Sequence, residues 1–258
     1  MRRLRGPIAT TPARISAPVA AAQAVRGVPA PVKAARPPVR REAGPFAPVP
    51  TDRSRGPQPR RAADVALAAA ALAATSPLML VAAVAVKLDG DGPLLFRQRR
   101  LGRDQRPFTM LKLRTMTPGA PSGPHERYIA DLAAGPAAAQ SGQLYKLTAD
   151  PRVTTAGRWL RRLSVDELPQ LINVLRGEMS IVGPRPALPY ELEFYEPRHF
   201  ERFAVRPGLT GLWQVSGRNR LGFLEMLDMD VEYVRRRSAA LDALIVLKTP
   251  AALVGRTA

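Results

Sequence analysis

The chain has 258 residues, 39 Lys plus Arg against 21 Asp plus Glu, and no cysteine. This length allows one ordinary domain with appendages, or at most two small ones. The lack of cysteine excludes disulfide bonds and thiolate sites, and two histidines are too few for an imidazole-rich metal site. The formal net charge of +18 indicates an anionic partner, whether nucleic acid, an anionic membrane surface or a phosphorylated substrate.

The first 60 residues are basic and rich in proline. They contain 12 Lys or Arg, 12 of the 27 prolines and only two acidic residues, Glu42 and Asp52. Such a segment cannot bury enough apolar surface to offset its ordering entropy, so residues 1–60 are predicted to form a disordered tail. Its charge fits either a solvated tail or one that docks on anionic lipid headgroups.

Residues 65–86 form a run of 22 residues without a charge, of which ten are alanine. As a helix this run is about 33 Å long, enough to cross a hydrocarbon core. Ser76-Pro77 predicts a kink near its middle, because proline removes a backbone hydrogen bond and Ser76 can satisfy a freed carbonyl. Basic residues flank both ends. The positive-inside rule therefore favours a re-entrant membrane helix over residues 61–87, with a spanning helix and a buried core helix as alternatives.

The body of the chain, residues 88–258, is predicted to form an α+β domain that is mainly helical and carries membrane-surface helices. Alternating residues predict a β-hairpin from strands at 94–103 and 107–116, with Gly102 near the turn and Phe108, Met110 and Leu113 packed. Apolar spacing predicts the remaining elements. A short helix is expected at 126–134, within a loop at 117–142, and a longer helical stretch over 154–175 that is broken near Ser164. Two further helices are expected at 187–203 and 221–236, followed by an apolar run at 241–247 that packs in the core or lies on the membrane.

The residues best suited to chemistry lie between 150 and 186. Asp166 and Glu167 are adjacent, and several arginines lie close to them in sequence. Such a carboxylate pair suits Mg²⁺ shared with substrate phosphates, and a carboxylate can also act as the nucleophile in phosphoryl transfer. A structural alternative exists, because Ser164 and Glu167 have the spacing of a capping box at a helix N-terminus.

The segment Gly183-Pro184-Arg185-Pro186 predicts a rigid turn, since its two prolines fix the backbone on either side of Arg185. A guanidinium held in this way can bind phosphate oxygens bidentately, although a surface turn explains the same residues. His199 follows Arg198 and is predicted to be a surface residue rather than a catalytic one.

Four segments in a fixed order resemble the bacterial sugar transferase family, the monotopic polyprenyl-phosphate phosphoglycosyl transferases that start glycan assembly. The resemblance covers about residues 60–250 and leaves the basic tail outside. The segments are FRQRRLGR, FTMLKLRTM, DPRVTTAGRWLRRLSVDELPQLINVLRGEMSIVGPRP and RPGLTGLWQVSGRN.

The resemblance implies an enzyme of the bacterial cytoplasmic membrane, set among inner membrane lipids, whose catalytic domain faces the cytoplasm. Its reaction would move a sugar 1-phosphate from a UDP-sugar to undecaprenyl phosphate and release UMP, as the first membrane step of exopolysaccharide or glycan assembly. The family's Asp-Glu pair falls on Asp166-Glu167. By analogy, Asp166 forms a covalent phosphosugar intermediate and Glu167 helps to hold Mg²⁺.

The resemblance also assigns phosphate or substrate binding to five basic residues. The family's phosphate-binding arginines fall on Arg161 and Arg185, and the arginine of its GRN motif falls on Arg218. Lys112 and Arg114 match the basic pair of its KFRTM-like strand.

Three other features bear on the resemblance. Ser76-Pro77 matches the family's kinked re-entrant helix, and Asp230 and Tyr233 match a D-V-x-Y motif without an assigned role. Gln105 departs from the family, which usually has glycine there. If that position needs a positive φ, Gln105 costs about 1 kcal/mol.

Two other functions compete with this assignment. A nucleic-acid-binding protein is disfavoured because most of the charge lies in the tail and the core basic residues are not interleaved with aromatic ones. An inactive membrane scaffold of the same fold is disfavoured by the intact Asp166-Glu167 pair and its arginines. These motifs do not determine the sugar, the polymer or the oligomeric state.

Overall fold

The structure, a computed structural model, describes residues 59–120, 150–216 and 221–254, together with positions 123, 126, 129 and 130. The predicted tail therefore lies outside the described residues, apart from its last two positions, and so does Arg218. Most of the helix predicted at 126–134 also lies outside them, although the three positions of it that are described are helical.

The described part of the chain is mainly helical with two small sheets, as predicted for an α+β fold. β1 and β2 form the predicted antiparallel hairpin, with Leu95 opposite Leu113, and β3 pairs with β4 in parallel. The elements are α1 (Pro59–Leu88), β1 (Leu95–Leu101), β2 (Pro107–Leu113), α2 (Thr155–Leu163), α3 (Gln170–Arg176), β3 (Ser180–Val182), β4 (Gly208–Thr210), α4 (Leu212–Ser216), α5 (Phe223–Arg236) and α6 (Ala239–Val254).

The hairpin turn has a left-handed backbone. Asp104 has a φ of 55° and Gln105 a φ of 58°, so the position where the family usually has glycine does require a positive φ. Asp tolerates this conformation better than Gln, because its short side chain can hydrogen-bond locally. The strain expected at Gln105 is therefore present in the fold.

Helix α1 is apolar, and among the described residues its contacts with the rest of the domain lie along one side. It has the length and composition to cross a membrane, with 11% of its most apolar window buried. Leu67 and Leu80 are more than half exposed, whereas Ala68, Ala82 and Val86 are buried against the domain. This exposure argues against the alternative of a buried core helix.

The helix continues through Pro77 as one element. Pro77 has no N–H to donate to the carbonyl of Ala73, four residues earlier. The hydroxyl of Ser76 donates to that carbonyl instead, at 2.8 Å. The predicted role of Ser76 in satisfying a freed carbonyl is therefore confirmed.

The start of α1 is anchored to α3 and β3 by polar contacts. Arg61 donates to the carbonyls of Val174 and Leu175 at 2.6 and 2.8 Å, and so caps the C-terminal end of α3. The carboxylate of Asp64 accepts from the hydroxyl of Ser180 and the backbone N–H of Ile181, both at 2.9 Å.

The other end of α1 is anchored to the strand β2. The guanidinium of Arg114, directly after that strand, donates to the carbonyls of Val86 at 2.8 Å and Gly90 at 2.5 Å, and also to that of Asp91. These carbonyls lie at and just beyond the last turn of the helix, where carbonyls lack helical donors. Both ends of α1 are thus attached to the same domain.

The prediction of one amphipathic helix at 187–203 is wrong. The segment forms two 3₁₀ stretches, Pro189–Phe194 and Pro197–Ala204, separated by extended backbone at Tyr195 and Glu196. Pro197 causes the break, because proline disfavours helical backbone in the residue before it and supplies no N–H.

The prediction that His199 lies on the surface is also wrong, since the residue is fully buried. Its Nδ1 accepts from the N–H of Glu196 at 3.0 Å, and its Nε2 lies 3.0 Å from Oδ1 of Asp228. The second 3₁₀ stretch packs on α5, which turns this side chain inward.

The helix predicted at 221–236 is confirmed as α5, whose buried face includes Phe223, Leu227 and Val231. The apolar run at 241–247 belongs to the longer helix α6, with Ile245 buried and Leu247 77% exposed. One side of α6 therefore packs in the core while the other remains apolar and open.

Candidate active site

Asp166 and Glu167 lie in a single 3₁₀ turn, Val165–Glu167, between α2 and α3. Ser164 precedes them with a left-handed backbone, at a φ of 58°, and ends α2. Its side chain does not cap the following turn, so the capping-box alternative is wrong. The predicted break near Ser164 is confirmed, but its cause is a C-terminal cap rather than the start of a helix.

The two carboxylates differ in their exposure. Asp166 is 4% exposed, whereas the side chain of Glu167 is 27% exposed and its Oε1 lies 3.3 Å from Nζ of Lys112. Lys112 belongs to β2, so this ion pair joins the hairpin to the acidic turn. The structure therefore brings together three of the predicted site residues.

Arg161 approaches the same turn from α2. Its Nε donates to Oγ1 of Thr115 at 2.9 Å. Gly157 makes this packing possible, because a Cβ there would lie 2.2 Å from the carbonyl oxygen of Thr115. Burial lowers the pKa of Arg161, and the charge of Asp166 opposes that change, which places the two side chains in one electrostatic environment.

The turn that carries Arg185 is rigid, as predicted, because three consecutive carbonyls in it accept hydrogen bonds. The carbonyl of Arg185 accepts from Arg202 at 2.6 Å. The carbonyls of the two flanking prolines accept from the N–H of Gly208 at 2.8 Å and from Nη1 of Arg100 at 2.9 Å. The prolines and these bonds fix the backbone beneath the Arg185 side chain.

A buried carboxylate also fixes the side chain of Arg185. Glu191 is fully buried, and its Oε1 accepts from Nη1 of Arg185 at 2.9 Å while its Oε2 accepts from the N–H of Leu188 at 2.9 Å. Burial raises the pKa of Glu191, but the charges of Arg185 and Arg100 outweigh it, so the pKa lies below its ordinary value.

Arg100 shows that the turn and the acidic pair share one region of charge. The pKa of Arg100 is lowered to about 9, chiefly by burial and then by the charge of Arg185, while the carboxylates of Glu191 and Glu167 act in the opposite sense. Four charged side chains from β1, the acidic turn and the segment after β3 therefore converge here.

One of the predicted binding residues, Arg114, makes its hydrogen bonds away from this cluster. The guanidinium of Arg114 is 7% exposed and is directed at the carbonyls that end α1. Arg218 lies outside the described residues.

Asp230 and Tyr233 support the turn from beneath. Oδ2 of Asp230 accepts from Nη2 of Arg202 at 2.6 Å, and the same nitrogen holds the carbonyl of Arg185. The hydroxyl of Tyr233 lies 2.7 Å from Oδ1 of Asp242 and 3.2 Å from the carbonyl of Val182, in the strand that leads into the turn. These contacts give the D-V-x-Y motif a positioning role.

Sequence reasoning missed three residues that hold the site together: Arg100, Glu191 and Arg202. All three are charged and nearly or fully buried, which is rare unless such a group is paired. Arg100 could have been identified, because it is a charged residue at an inward-facing position of a predicted strand. The other two gave no such signal, because their segment does not form the predicted helix.

Asp166 and Glu167 fit a metal ion that is shared with substrate phosphates better than one that is held by protein ligands alone. Among the described residues, no group of three or more His, Cys, Asp or Glu could hold a metal ion. Mg²⁺ is commonly bound by one or two carboxylates together with substrate phosphates and water. A partly exposed Glu167 beside Asp166 matches that donor set.

Comparison with known proteins identifies the family of the chain. A model of the family described as "Bacterial sugar transferase" matches residues 57–256. The exopolysaccharide production protein ExoY of Sinorhizobium fredii is 43% identical over 200 residues, covering 76% of this chain and 86% of the relative. The UDP-glucose:undecaprenyl-phosphate glucose-1-phosphate transferase of Caulobacter vibrioides is 42% identical over 226 residues, covering 82% and 78%.

A third relative, the UDP-galactose-lipid carrier transferase of Erwinia amylovora, is 41% identical over 173 residues, covering 67% of this chain and 35% of the relative. The family match spans the apolar helix α1, the hairpin, the acidic pair and the Arg185 turn, and the chain belongs to the bacterial sugar transferase family.

Proposed function

We propose that this protein transfers a sugar 1-phosphate from a UDP-sugar to undecaprenyl phosphate, giving undecaprenyl diphosphate sugar and UMP. The observation that carries the proposal is the buried Asp166 beside Glu167, with Lys112 3.3 Å from the latter. Relatives named for this type of transfer, one with glucose and one with galactose, support it. These relatives make UDP-glucose and UDP-galactose the first two sugar donors to test.

In the first step, an oxygen of Asp166 attacks the sugar-linked phosphorus of the UDP-sugar. The bond from this phosphorus to the bridging oxygen breaks, and UMP leaves with that oxygen and its electron pair. Asp166 then carries the sugar phosphate as an acyl phosphate. Arg161 and Arg185 are the groups of this chain that offset the negative charge of the diphosphate.

In the second step, an oxygen of undecaprenyl phosphate attacks the same phosphorus. The bond to Asp166 breaks, which restores the carboxylate and releases the lipid-linked product. No general base is needed, because the attacking phosphate is already an anion. Glu167, together with Asp166, would hold Mg²⁺, which supplies charge neutralisation to the phosphates when bound.

The anchoring of α1 supports a membrane location in which the catalytic domain lies on one side of the bilayer, and the basic residues at both flanks of the helix favour the cytoplasmic side. Asp64 at one end of the helix contacts β3, and Val86 at the other contacts Arg114. A straight span would place these contacts on opposite sides of a bilayer, which one folded domain cannot occupy. We therefore favour the re-entrant arrangement for α1.

The direct test is a panel of UDP-sugars with undecaprenyl phosphate, Mg²⁺ and the purified full-length protein, with UMP release and lipid-linked sugar both measured. At least one UDP-sugar is expected to give both products. Asp166→Asn should abolish both while leaving the thermal unfolding midpoint close to that of the wild type. Failure of the wild type with every UDP-sugar would favour the inactive scaffold, and retained turnover in Asp166→Asn would exclude this residue as the nucleophile.

A further inference from the structure

A second basic site lies between two turns at one corner of the domain. A cavity of about 390 Å³ lies between the hairpin turn, the turn after α3 and the residues before β4. Arg103 and Arg106 of the hairpin turn line the cavity, as does Arg206, which lies before β4. Gly177 and Glu178, in the turn after α3, form the wall opposite to them. None of these residues has a role in the proposed reaction.

The charge of this cavity is predominantly positive. Nε of Arg206 donates to the carbonyl of Gly177 at 2.8 Å. Arg61 extends the cluster, because a Cβ on Gly177 would lie 3.4 Å from its Nη2. Burial lowers the pKa of Arg206, and the neighbouring charges of Arg61 and Arg103 lower it further, as expected where like charges are crowded.

The nearby acids offset the charge of this cluster only in part. Four arginines face three acidic residues, Asp64, Asp104 and Glu178, and Glu178 accepts from Nδ2 of Asn173 at 2.6 Å. Oδ2 of Asp104 lies 3.7 Å from Nε of Arg103, which makes an ion pair without a hydrogen bond. That nitrogen is buried and has no hydrogen-bond partner among the described residues, which is costly unless a ligand supplies an acceptor.

The cavity is separate from the acidic pair. β2 connects the two sites, with Phe108 at the cavity and Lys112 at Glu167, and four residues of strand span about 13 Å. α3 also separates them, because Glu167 lies before its first residue and Gly177 follows its last; seven helical residues span about 10 Å. Both elements thus place the cavity at the end opposite the acidic pair.

The corner that holds the cavity is also where the membrane helix begins. Arg61, at the start of α1, caps α3 beside the cavity. The apolar exposed residues of the helix follow within two turns, at Val65 and Leu67. The cavity therefore lies near the level at which α1 changes from basic to apolar, which corresponds to the headgroup region for a helix that enters a bilayer.

We propose that this cavity is a second phosphate-binding site, which takes a phosphate ester through Arg103, Arg106 and Arg206. The ligand is either the headgroup of an anionic phospholipid or a small soluble phosphate ester, since the same guanidinium contacts suit both. The site is independent of the sugar nucleotide, so it does not depend on the proposed reaction.

The test uses the full-length protein in neutral detergent with two probes, phosphatidylglycerol measured by native mass spectrometry and glycerol 1-phosphate measured by calorimetry. The double variant Arg103→Gln and Arg106→Gln is compared with Arg97→Gln and Arg99→Gln, two exposed arginines of β1 whose removal changes the charge equally. The cavity variant should bind at least one probe tenfold more weakly than the wild type, and the control should stay within twofold.

Loss of phosphatidylglycerol binding alone would assign the site to a lipid headgroup, and loss of glycerol 1-phosphate binding alone would assign it to a soluble ester. If both probes bind equally to the cavity variant and to the control, the proposal is wrong. Arg106→Gln alone serves if the double variant does not fold, because Arg106 is exposed. UMP release by the cavity variant in detergent should match that of the wild type. A loss of probe binding with normal UMP release therefore tests the cavity independently of the proposed reaction.

Discussion

The fully buried carboxylate of Glu191 accepts a hydrogen bond of 2.9 Å from the partly exposed guanidinium of Arg185. Arg185 is the residue of this turn to which the proposed reaction assigns a substrate phosphate, and Glu191 holds its side chain in place. The pair therefore allows a positioning residue to be tested without touching the proposed nucleophile.

Glu191→Gln should lower kcat/KM for the UDP-sugar about tenfold, which corresponds to about 1.4 kcal/mol. The amide keeps an acceptor but loses the charge that orients Arg185, so the effect should appear mainly in KM if Arg185 binds the ground-state diphosphate. UMP release at varied UDP-sugar concentration measures this split. Glu193→Gln, an exposed neighbour in the same 3₁₀ stretch, should keep wild-type kinetics, and an equal loss in both variants would contradict the positioning role.

Glu191 should also make stability depend on pH. Its folded-state pKa is below the ordinary value of 4.5, so the unfolded chain takes up a proton first as the pH falls. The contribution of Glu191 to the free energy of unfolding is therefore complete above about pH 5 and is lost as the pH falls below 4.5 towards the folded-state pKa. Thermal unfolding in detergent from pH 7 to 3.5 should show a steeper decline for the wild type than for Glu191→Gln; parallel curves would contradict this.

The topology of α1 can be tested directly because the chain contains no cysteine. Single cysteines at Ala63 and Asp91, which are exposed on either side of the apolar segment, should both react with an impermeant maleimide added to inside-out membrane vesicles. Neither should react in right-side-out spheroplasts. Labelling of one position from each side would mean that α1 spans the bilayer.

Gln105→Gly should stabilise the protein. A glycine adopts the positive φ of this turn without steric cost, although it also gains freedom in the unfolded chain, so the expected gain in the free energy of unfolding is about 0.5–1 kcal/mol. A rise in the thermal unfolding midpoint measures it. Gln98→Gly, within β1, should instead lower the midpoint, because glycine weakens a strand interior and the change removes an acceptor of Arg100.

Arg114→Gln should destabilise the fold by about 2–3 kcal/mol, since three carbonyls at the end of α1 lose a charged donor. The thermal unfolding midpoint should fall, while Arg97→Gln should leave it unchanged. An unaltered midpoint with a raised KM for the UDP-sugar would instead show that Arg114 binds phosphate.

Sequence patterns predicted the elements whose signals are local. The hairpin follows from alternation on either side of Gly102, and α5 follows from apolar residues three and four apart. The same reasoning failed at 187–203, where the prolines outweigh apolar spacing, and at Ser164, where the residues suit a helix start but the backbone turns left-handed.

The support of the Arg185 turn could not be predicted, because it depends on contacts between residues far apart in sequence. Arg100 reaches the carbonyl of Pro186 across 86 residues, and Asp230 reaches Arg202 across 28. Each of these pairs is polar and buried. The regular spacing of apolar residues, from which helices and strands are predicted, therefore does not reveal them. The charged residues that the resemblance identified are those to which the proposed reaction gives a role, whereas those that hold them were found only in the fold.

The anchoring of α1 has a consequence for how the protein is made. Asp64 leaves the ribosome 116 residues before its partner Ser180, a delay of roughly 6–23 s at ordinary rates of translation. During that time α3 and β3, which cover the start of the apolar helix, have not yet been made, so we expect lipid to receive the helix first and the domain to assemble onto it afterwards. Removing the helix to obtain a soluble enzyme would leave Leu171 and Val174, which pack against Ala68, exposed to water.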